Sequence, residues 1–151
     1  MLNFFNREQI FSPVNGNCID ISDVKDEVFS SKALGDGVGI IPNDNIVCSP
    51  VNGRVEMIFR TNHAFGIKTK KGYDLLVHIG VDTVNLNGEG MHRLVNVGDE
   101  VTVGDKIIEF DHSYLSDGKD MTVMVIAPKR NIMNKTKGMI SVGEQIFVMR
   151  G

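Results

Sequence analysis

The clearest alternation of apolar and polar positions in this chain lies in TNHAFGIKTKKGYDLLVHIGVDTVNL, residues 61–86. In its second half Leu75, Val77, Ile79 and Val81 form an apolar row, while Leu76, His78, Gly80 and Asp82 take the other parity. Side chains alternate faces along a strand, so the stretch predicts two strands around a Lys-Lys-Gly turn, with one histidine on each arm. In the first arm Phe59, Thr61, His63 and Phe65 share one parity. Register then decides what the histidines can do. An even loop such as Lys70-Lys71 sets His63 directly opposite His78, with Cβ atoms about 5 Å apart. A three-residue loop sends the two imidazoles to opposite faces. The paired register is the expectation.

Elsewhere the same period recurs in short runs: Asn17–Ile21, Ile46–Val47, Arg54–Phe59, Thr83–Leu86, Lys106–Asp111, Thr122–Ala127 and Gln145–Met149. Two turn words repeat between them. Ser12-Pro13-Val14-Asn15-Gly16 returns as Ser49-Pro50-Val51-Asn52-Gly53, and Val97-Gly98-Asp99 returns as Val103-Gly104-Asp105 and Val142-Gly143-Glu144. Proline enforces an extended entry and Asn-Gly accepts the positive φ of a tight turn. Spacings this irregular exclude a solenoid and predict an all-β domain of related hairpins folded back on one another. Helix is confined to a turn or two within Asp23–Leu34, capped by Ser22 or Asp23 with Val24, Val28 and Phe29 inward, and to His112–Leu115. Gly80, inside the second histidine strand, implies a bulge or a close backbone approach.

Composition adds limits. At 151 residues, 42% apolar and 23% charged, the chain reads as a single domain, 1–151, able to bury its own core. A net charge of −3 argues against a nucleic-acid surface. Cys18 and Cys48 have neither metal-type spacing nor a disulfide framework and read as reduced thiols. The opening MLNFFNREQIF lacks the basic start and cleavage site of a signal peptide, and no run reaches membrane-span length. The expectation is a cytoplasmic protein without stable membrane insertion. Residues 1 to about 10 form a flexible N-terminal segment in this reading, with Phe4 and Phe5 resting on the domain. His92 and His112 read as solvated or locally capping residues.

Two facing imidazoles can bind metal, act as acid and base, or act as a nucleophile that takes up a phosphoryl group and passes it on. The last role requires one ring nitrogen free, the other ring nitrogen's proton held by an acceptor, and donors for the phosphoryl oxygens. Thr61, two residues before His63, is placed to orient it.

Gly72-Tyr-Asp-Leu-Leu-Val-His78-Ile-Gly80-Val-Asp82-Thr83-Val-Asn-Leu86, with Thr61-Asn62-His63-Ala64-Phe65 upstream, closely resembles the enzyme IIA domain of the glucose family of the bacterial phosphoenolpyruvate-dependent sugar phosphotransferase system. The likeness extends through Leu34-Gly-Asp-Gly37, Ser49-Pro-Val-Asn-Gly53, Leu86-Asn-Gly-Glu-Gly90 and residues 97–110. The resemblance implies a compact antiparallel β-sandwich of the barrel-sandwich hybrid kind and a phosphorelay. His78 would carry the phosphate on Nε2, its Nδ1 proton going to the Gly80 carbonyl. His63 would hydrogen-bond the phosphoryl group, with Thr61 orienting it. Phe29, Phe59 and Leu76 fall where the family has an apolar ring, and Asp26 and Asp82 where it has acids. The donor would be the histidine-containing phosphocarrier protein, and the acceptor a cysteine of the IIB domain of a membrane sugar permease. No cofactor is implied; zinc on the two histidines, completed by a partner's carboxylate, would be incidental.

The chain departs from the enteric members in its basic Arg60, Lys68, Lys70 and Lys71 and in Glu27, which stands where they are apolar, so their regulatory contacts form no part of what the resemblance implies. A zinc-dependent hybrid-barrel hydrolase using His78 and Asp82 is the rival from another class, but the His-x-His such enzymes add is missing. A biotinyl or lipoyl carrier would need Met-Lys-Met or Asp-Lys-Ala, and neither occurs. A regulatory binding module that has lost relay activity would keep the fold without the chemistry.

Overall fold

A computed structural model describes residues 6–151. The strands in chain order are β1 (Arg7–Phe11), β2 (Gly16–Asp20), β3 (Asp36–Pro42), β4 (Ile46–Cys48), β5 (Gly53–Ile58), β6 (Ala64–Thr69), β7 (Asp74–Ile79), β8 (Met91–Arg93), β9 (Glu100–Val101), β10 (Lys106–Phe110), β11 (Val123–Ala127), β12 (Asn131–Met133), β13 (Gly138–Ile140) and β14 (Gln145–Arg150). They form one large sheet in the order β13-β2-β3-β11-β7-β6-β5-β9 and two small ones, β1-β14-β12 and β4-β10-β8. The pairings are antiparallel, and the sheets do not close into a barrel. Among the elements described, helix is α1 (Glu27–Ser30) and 3₁₀ turns at Ile21–Asp23, Thr83–Leu86 and His112–Leu115. This is the all-β architecture expected from the hairpin pattern, and the sandwich type that the resemblance implies.

The main core lies between the large sheet and the two small ones, and takes one parity of the central strands: Leu75, Val77 and Ile79 from β7, Phe65 and Ile67 from β6, Val123 and Val125 from β11. A second, smaller core forms on the other face of the large sheet. There Ile21, Val24 and Phe29 cover Met124 and Ile126, with Leu76 and Val81 at the margin. β11 is therefore buried on both faces, which is why its sequence, VMVIA, is apolar without alternation. At about 25 cal/mol per Å² of apolar area, each such core side chain contributes roughly 1.5–3 kcal/mol.

The repeated Ser-Pro-Val-Asn-Gly words make the same turn twice. Ser12 Oγ donates to the Val14 carbonyl and Ser49 Oγ to the Val51 carbonyl, each at 2.7 Å. Asn15 Oδ1 accepts from Val142 N and Asn52 Oδ1 from Val103 N, each at 2.8 Å. The copies also hold each other, through Phe11 N to the Pro50 carbonyl and Cys48 N to the Pro13 carbonyl. The second repeated word is thus the seat of the first: each Ser-Pro-Val-Asn-Gly turn rests on one Val-Gly-Asp or Val-Gly-Glu turn.

Four expectations need correction. Part of the segment expected to be flexible is strand: β1 pairs along β14 and buries Ile10 completely. Leu2, Phe4 and Phe5 lie outside the described residues. Thr83–Leu86 is a 3₁₀ turn and not a strand, because Gly80 and Asp82 both take positive φ (79° and 60°) and swing the chain off the sheet after Ile79. The caps near residue 23 are Asp20 and Asp26, each accepting from the backbone two residues on, and Val28 points outward at 52% exposure. The fourth is the register of the histidine hairpin. Lys68 pairs with Asp74 and Ala64, not His63, pairs with His78. The loop is the three-residue Lys70-Lys71-Gly72, closed by Thr69 and Tyr73, with Gly72 at φ 82° taking the left-handed position that such loops require.

Candidate functional site

With that odd register, strict alternation would put the two imidazoles on opposite faces. They nevertheless lie together, ring centroids 4.9 Å apart and nearly perpendicular. The reason is local. β6 begins only at Ala64, and His63 belongs to the turn between β5 and β6. Asn62 in that turn has φ 62°, a left-handed value that asparagine tolerates better than most residues. The alternation is broken there, so Phe65 enters the main core while His63 turns outward towards His78. The expected face holds and the expected register does not.

His78 sits on β7 between Ala64 and Met124 in the register, on the outer face of the sheet. The Phe29 ring from α1 lies 4.8 Å from its ring. Phe59 meets the His63 ring edge-on at 5.2 Å. Leu76, two residues before His78, is half-buried on the same face and leads into an apolar depression of about 190 Å³ lined by Met57, Gly66 and Pro128. A larger cavity of about 630 Å³, around Gln9, Phe11, Asn134 and Gln145, contains neither histidine.

The hydrogen bonds define what each ring can do. His78 Nδ1 lies 3.1 Å from the Gly80 carbonyl oxygen. A carbonyl only accepts, so Nδ1 carries the proton, and a neutral ring then keeps its lone pair on Nε2. The ring is neutral near pH 7: burial, together with the neighbouring His63 and against the opposing pull of the Gly80 bond and Asp26, brings the His78 pKa down from 6.5 to about 4. Burial lowers His63 as well. His63 is 3% exposed and its Nδ1 lies 2.5 Å from Thr61 Oγ1.

Gly80 can offer its carbonyl to His78 because the chain turns there. Its amide donates to the Thr122 carbonyl, Val81 donates to the Asp120 carbonyl, and Thr83 Oγ1 donates back to the Ile79 carbonyl. A Cβ at this position would lie 2.3 Å from Thr83 Cγ2 and 3.1 Å from the Asp120 oxygen. Gly80→Ala is therefore expected to cost about 2–4 kcal/mol of stability from the positive φ and the clash together. It should also loosen the His78 ring, because the carbonyl holding Nδ1 must move. Thermal unfolding beside the nitrogen chemical shifts of His78 checks both; a variant unchanged in either would show that the turn is not what holds the ring.

The remaining residues singled out in the sequence are placed unequally. Asp26 caps α1 through its bond from Val28 N and is close enough to act electrostatically on His78. Asp82 is exposed, in the left-handed conformation, and makes no capping bond. His92 and His112 are exposed, the former on β8 and the latter in a 3₁₀ turn. Among the described residues no group of three or more His, Cys, Asp or Glu side chains converges. The two imidazoles alone thus fall short of the three protein ligands of a catalytic zinc. Thr122 and Met124 escaped the sequence reading, since nothing in their own segments marks them as neighbours of a histidine.

The sequence model of the family described as "phosphoenolpyruvate-dependent sugar phosphotransferase system, EIIA 1" matches residues 8–133. The chain belongs to that family. This EIIA chain is 44% identical over 117 residues to the glucose-specific EIIA component of Staphylococcus aureus strain COL, covering 78% of its own length and 70% of the relative's. It is 46% identical over 116 residues to the glucose-specific EIIA component of Halalkalibacterium halodurans, covering 77% and 67%. Its fold matches that of glucose permease IIA from Mycoplasma capricolum with a TM-score of 0.85 and 33% identity, over 97% and 99% of the two chains. The EIIA chain is accordingly a phosphotransfer component of a sugar phosphotransferase system. None of its described helices is long and apolar enough to cross a membrane.

The lowered pKa of His78 makes the stability of this EIIA chain depend on pH in a definite sense. Between 6.5 and about 4 the unfolded chain binds a proton that the folded one refuses. The stability contribution is fully present above pH 6.5 and is lost as pH falls through 4, on the order of 3 kcal/mol in all. Urea denaturation at pH 7 and pH 4 should show a steeper acid loss for the wild type than for His78→Gln. Equal losses would contradict the shift.

Proposed function

We propose that the chain accepts a phosphoryl group on Nε2 of His78 from the histidine-containing phosphocarrier protein and passes it to a cysteine of the IIB domain of a sugar permease. The observation that carries this reading is the His78 Nδ1–Gly80 carbonyl bond, which leaves Nε2 as the one basic nitrogen of a neutral ring. Nε2 attacks the phosphorus of the donor phosphohistidine; the new N–P bond forms as the donor's N–P bond breaks and its imidazole leaves. In the second step the acceptor thiolate attacks the same phosphorus, the S–P bond forms, and His78 recovers its lone pair. His63, held by Thr61, donates to the phosphoryl oxygens through Nε2, which carries the ring proton when the Thr61 hydroxyl donates to Nδ1.

Phe29, Phe59 and Leu76 give an apolar rim on which two different partners can dock while water is kept from the labile N–P bond. Asp26 and Asp82 favour the approach of a basic donor face. A IIB acceptor is supported by the glucoside-specific EIICBA component of Staphylococcus carnosus, whose name joins A to B and C in one component. This chain matches it at 38% identity over 93% of its own length, and 21% of the relative's. The relay needs no cofactor; zinc between His63 and His78 would take its other ligands from a partner. The chain works on the cytoplasmic side of the membrane and binds no nucleic acid.

The test is reconstitution from phosphoenolpyruvate, enzyme I, the phosphocarrier and a IIB domain. The chain should take up one acid-labile, base-stable phosphoryl group and lose it when the IIB domain is added. Failure to load, or a loaded group that IIB cannot discharge, would refute the relay.

A further inference from the structure

The turn that aims His63 is tied down at both ends by contacts that the relay chemistry does not itself require. At one end the His63 carbonyl accepts from Ile79 N at 2.7 Å, anchoring the turn to β7. At the other end the turn is bound to a different sheet. Asn62 Nδ2 donates to the Met91 carbonyl of β8 at 3.0 Å, and Asn62 Oδ1 accepts from Arg93 Nε, also of β8, at 2.8 Å. Arg93 Nη2 reaches on to the Phe59 carbonyl at 3.4 Å, the oxygen that also accepts from Asn62 N at 2.7 Å. Asn62 is thus held in its left-handed conformation by its side chain as well as by its backbone.

What makes this a feature of the site is which residues alternate. Phe59 and Thr61 are the turn's own contacts with the His63 ring, one through its aromatic ring and one through its hydroxyl. The Asn62–Arg93 contacts fall on the Phe59 carbonyl and on residue 62, between and beside them. Gly88, in the loop before β8, backs Thr61 at 3.6 Å from where a Cβ would stand. The turn is exposed at Phe59 and Arg60, and on that side the polar ties hold it.

We propose that Asn62 and Arg93 are positioning residues for phosphoryl transfer: an inter-sheet clamp that fixes the β5–β6 turn and, through Thr61 and Phe59, the direction of the His63 ring. The inference rests on the relay reading above. Arg93 touches neither imidazole, and its work is done through Asn62 and the Phe59 carbonyl. Arginine suits the task because its fork offers two donors in fixed geometry, one for each acceptor. A lysine could reach one of the two but not span both. The clamp should matter most in the step that depends on His63, the stabilisation of the phosphoryl group as it leaves, because placement errors of about 1 Å can cost up to about 100-fold in rate.

The experiment uses the full chain in the reconstituted relay, comparing wild type, Arg93→Ala and Arg93→Lys. Thermal unfolding and the nitrogen chemical shifts of both histidines are recorded for each. Arg93 is exposed, so both variants should fold with little change in melting temperature. Arg93→Ala should load phosphate at near the wild-type rate, pass it to IIB about tenfold more slowly, and show altered His63 nitrogen shifts with His78 shifts unchanged. Arg93→Lys should recover part of the transfer rate. If Arg93→Ala transfers at the wild-type rate, or if its His63 shifts are unchanged, the clamp has no positioning role. Asn62→Gly keeps the backbone conformation and deletes the tie; it should reproduce the Arg93→Ala pattern, and wild-type transfer by it would overturn the proposal. Failure of the wild type to load phosphate at all would instead refute the relay reading.

Discussion

His78→Ala should reduce phosphoryl acceptance from the phosphocarrier to background while leaving the fold intact. The expectation follows from atoms and not from position in a motif. A nucleophile needs a lone pair at neutral pH, and His78 has one at a defined nitrogen because Gly80 holds the proton on the other. Its low pKa keeps the ring unprotonated, so nearly every molecule is competent at pH 7. The substitution removes a half-buried ring from the margin of the smaller core, not a side chain of the main one. Circular dichroism should therefore remain that of the wild type. Acid-labile, base-stable label retained by the variant would show that another group is the acceptor.

His63→Gln should separate loading from transfer. The variant keeps a donor near the phosphoryl site but loses the ring whose direction Thr61 and Phe59 fix. Loading on His78 should survive within a few-fold. Onward transfer should fall by about 10²–10³, the range for removing one preorganised donor from a developing charge. Single-turnover measurement of each half-reaction, with the loaded form isolated between them, distinguishes the two. Inability to load at all would exchange the roles of the two histidines.

Much of this was legible in the sequence because strand alternation is a strong signal where one face is buried. Leu75, Val77 and Ile79 declared the inner face of β7, and with it the outward direction of Leu76 and His78. The repeated turn words announced hairpins, and the hydrogen bonds of Ser12 and Ser49 repeat as closely as the letters do. Alternation failed where it had no authority. His63 is one residue outside β6, in a turn whose course is set by Asn62, and counting parity through a turn gives an arbitrary answer. The even-loop register arose from the same source: Lys-Lys-Gly can close either a two- or a three-residue loop, and Gly72 at positive φ selected the longer. Thr83–Leu86 reads as strand by composition, yet Gly80 and Asp82 redirect the chain before it begins. Arg93 gave no local sign of its role, because a tie between two sheets is written only in their packing.

The central claim is that Nε2 of His78 is the phosphoryl acceptor. Incubation with phosphoenolpyruvate, enzyme I and the phosphocarrier, followed by mass mapping of the modified peptide and phosphorus–nitrogen NMR of the loaded chain, tests it directly. The account predicts a single phosphoryl group on His78, bonded at Nε2, with Nδ1 still protonated against Gly80. A phosphoryl group on His63, or on Nδ1 of His78, would contradict it.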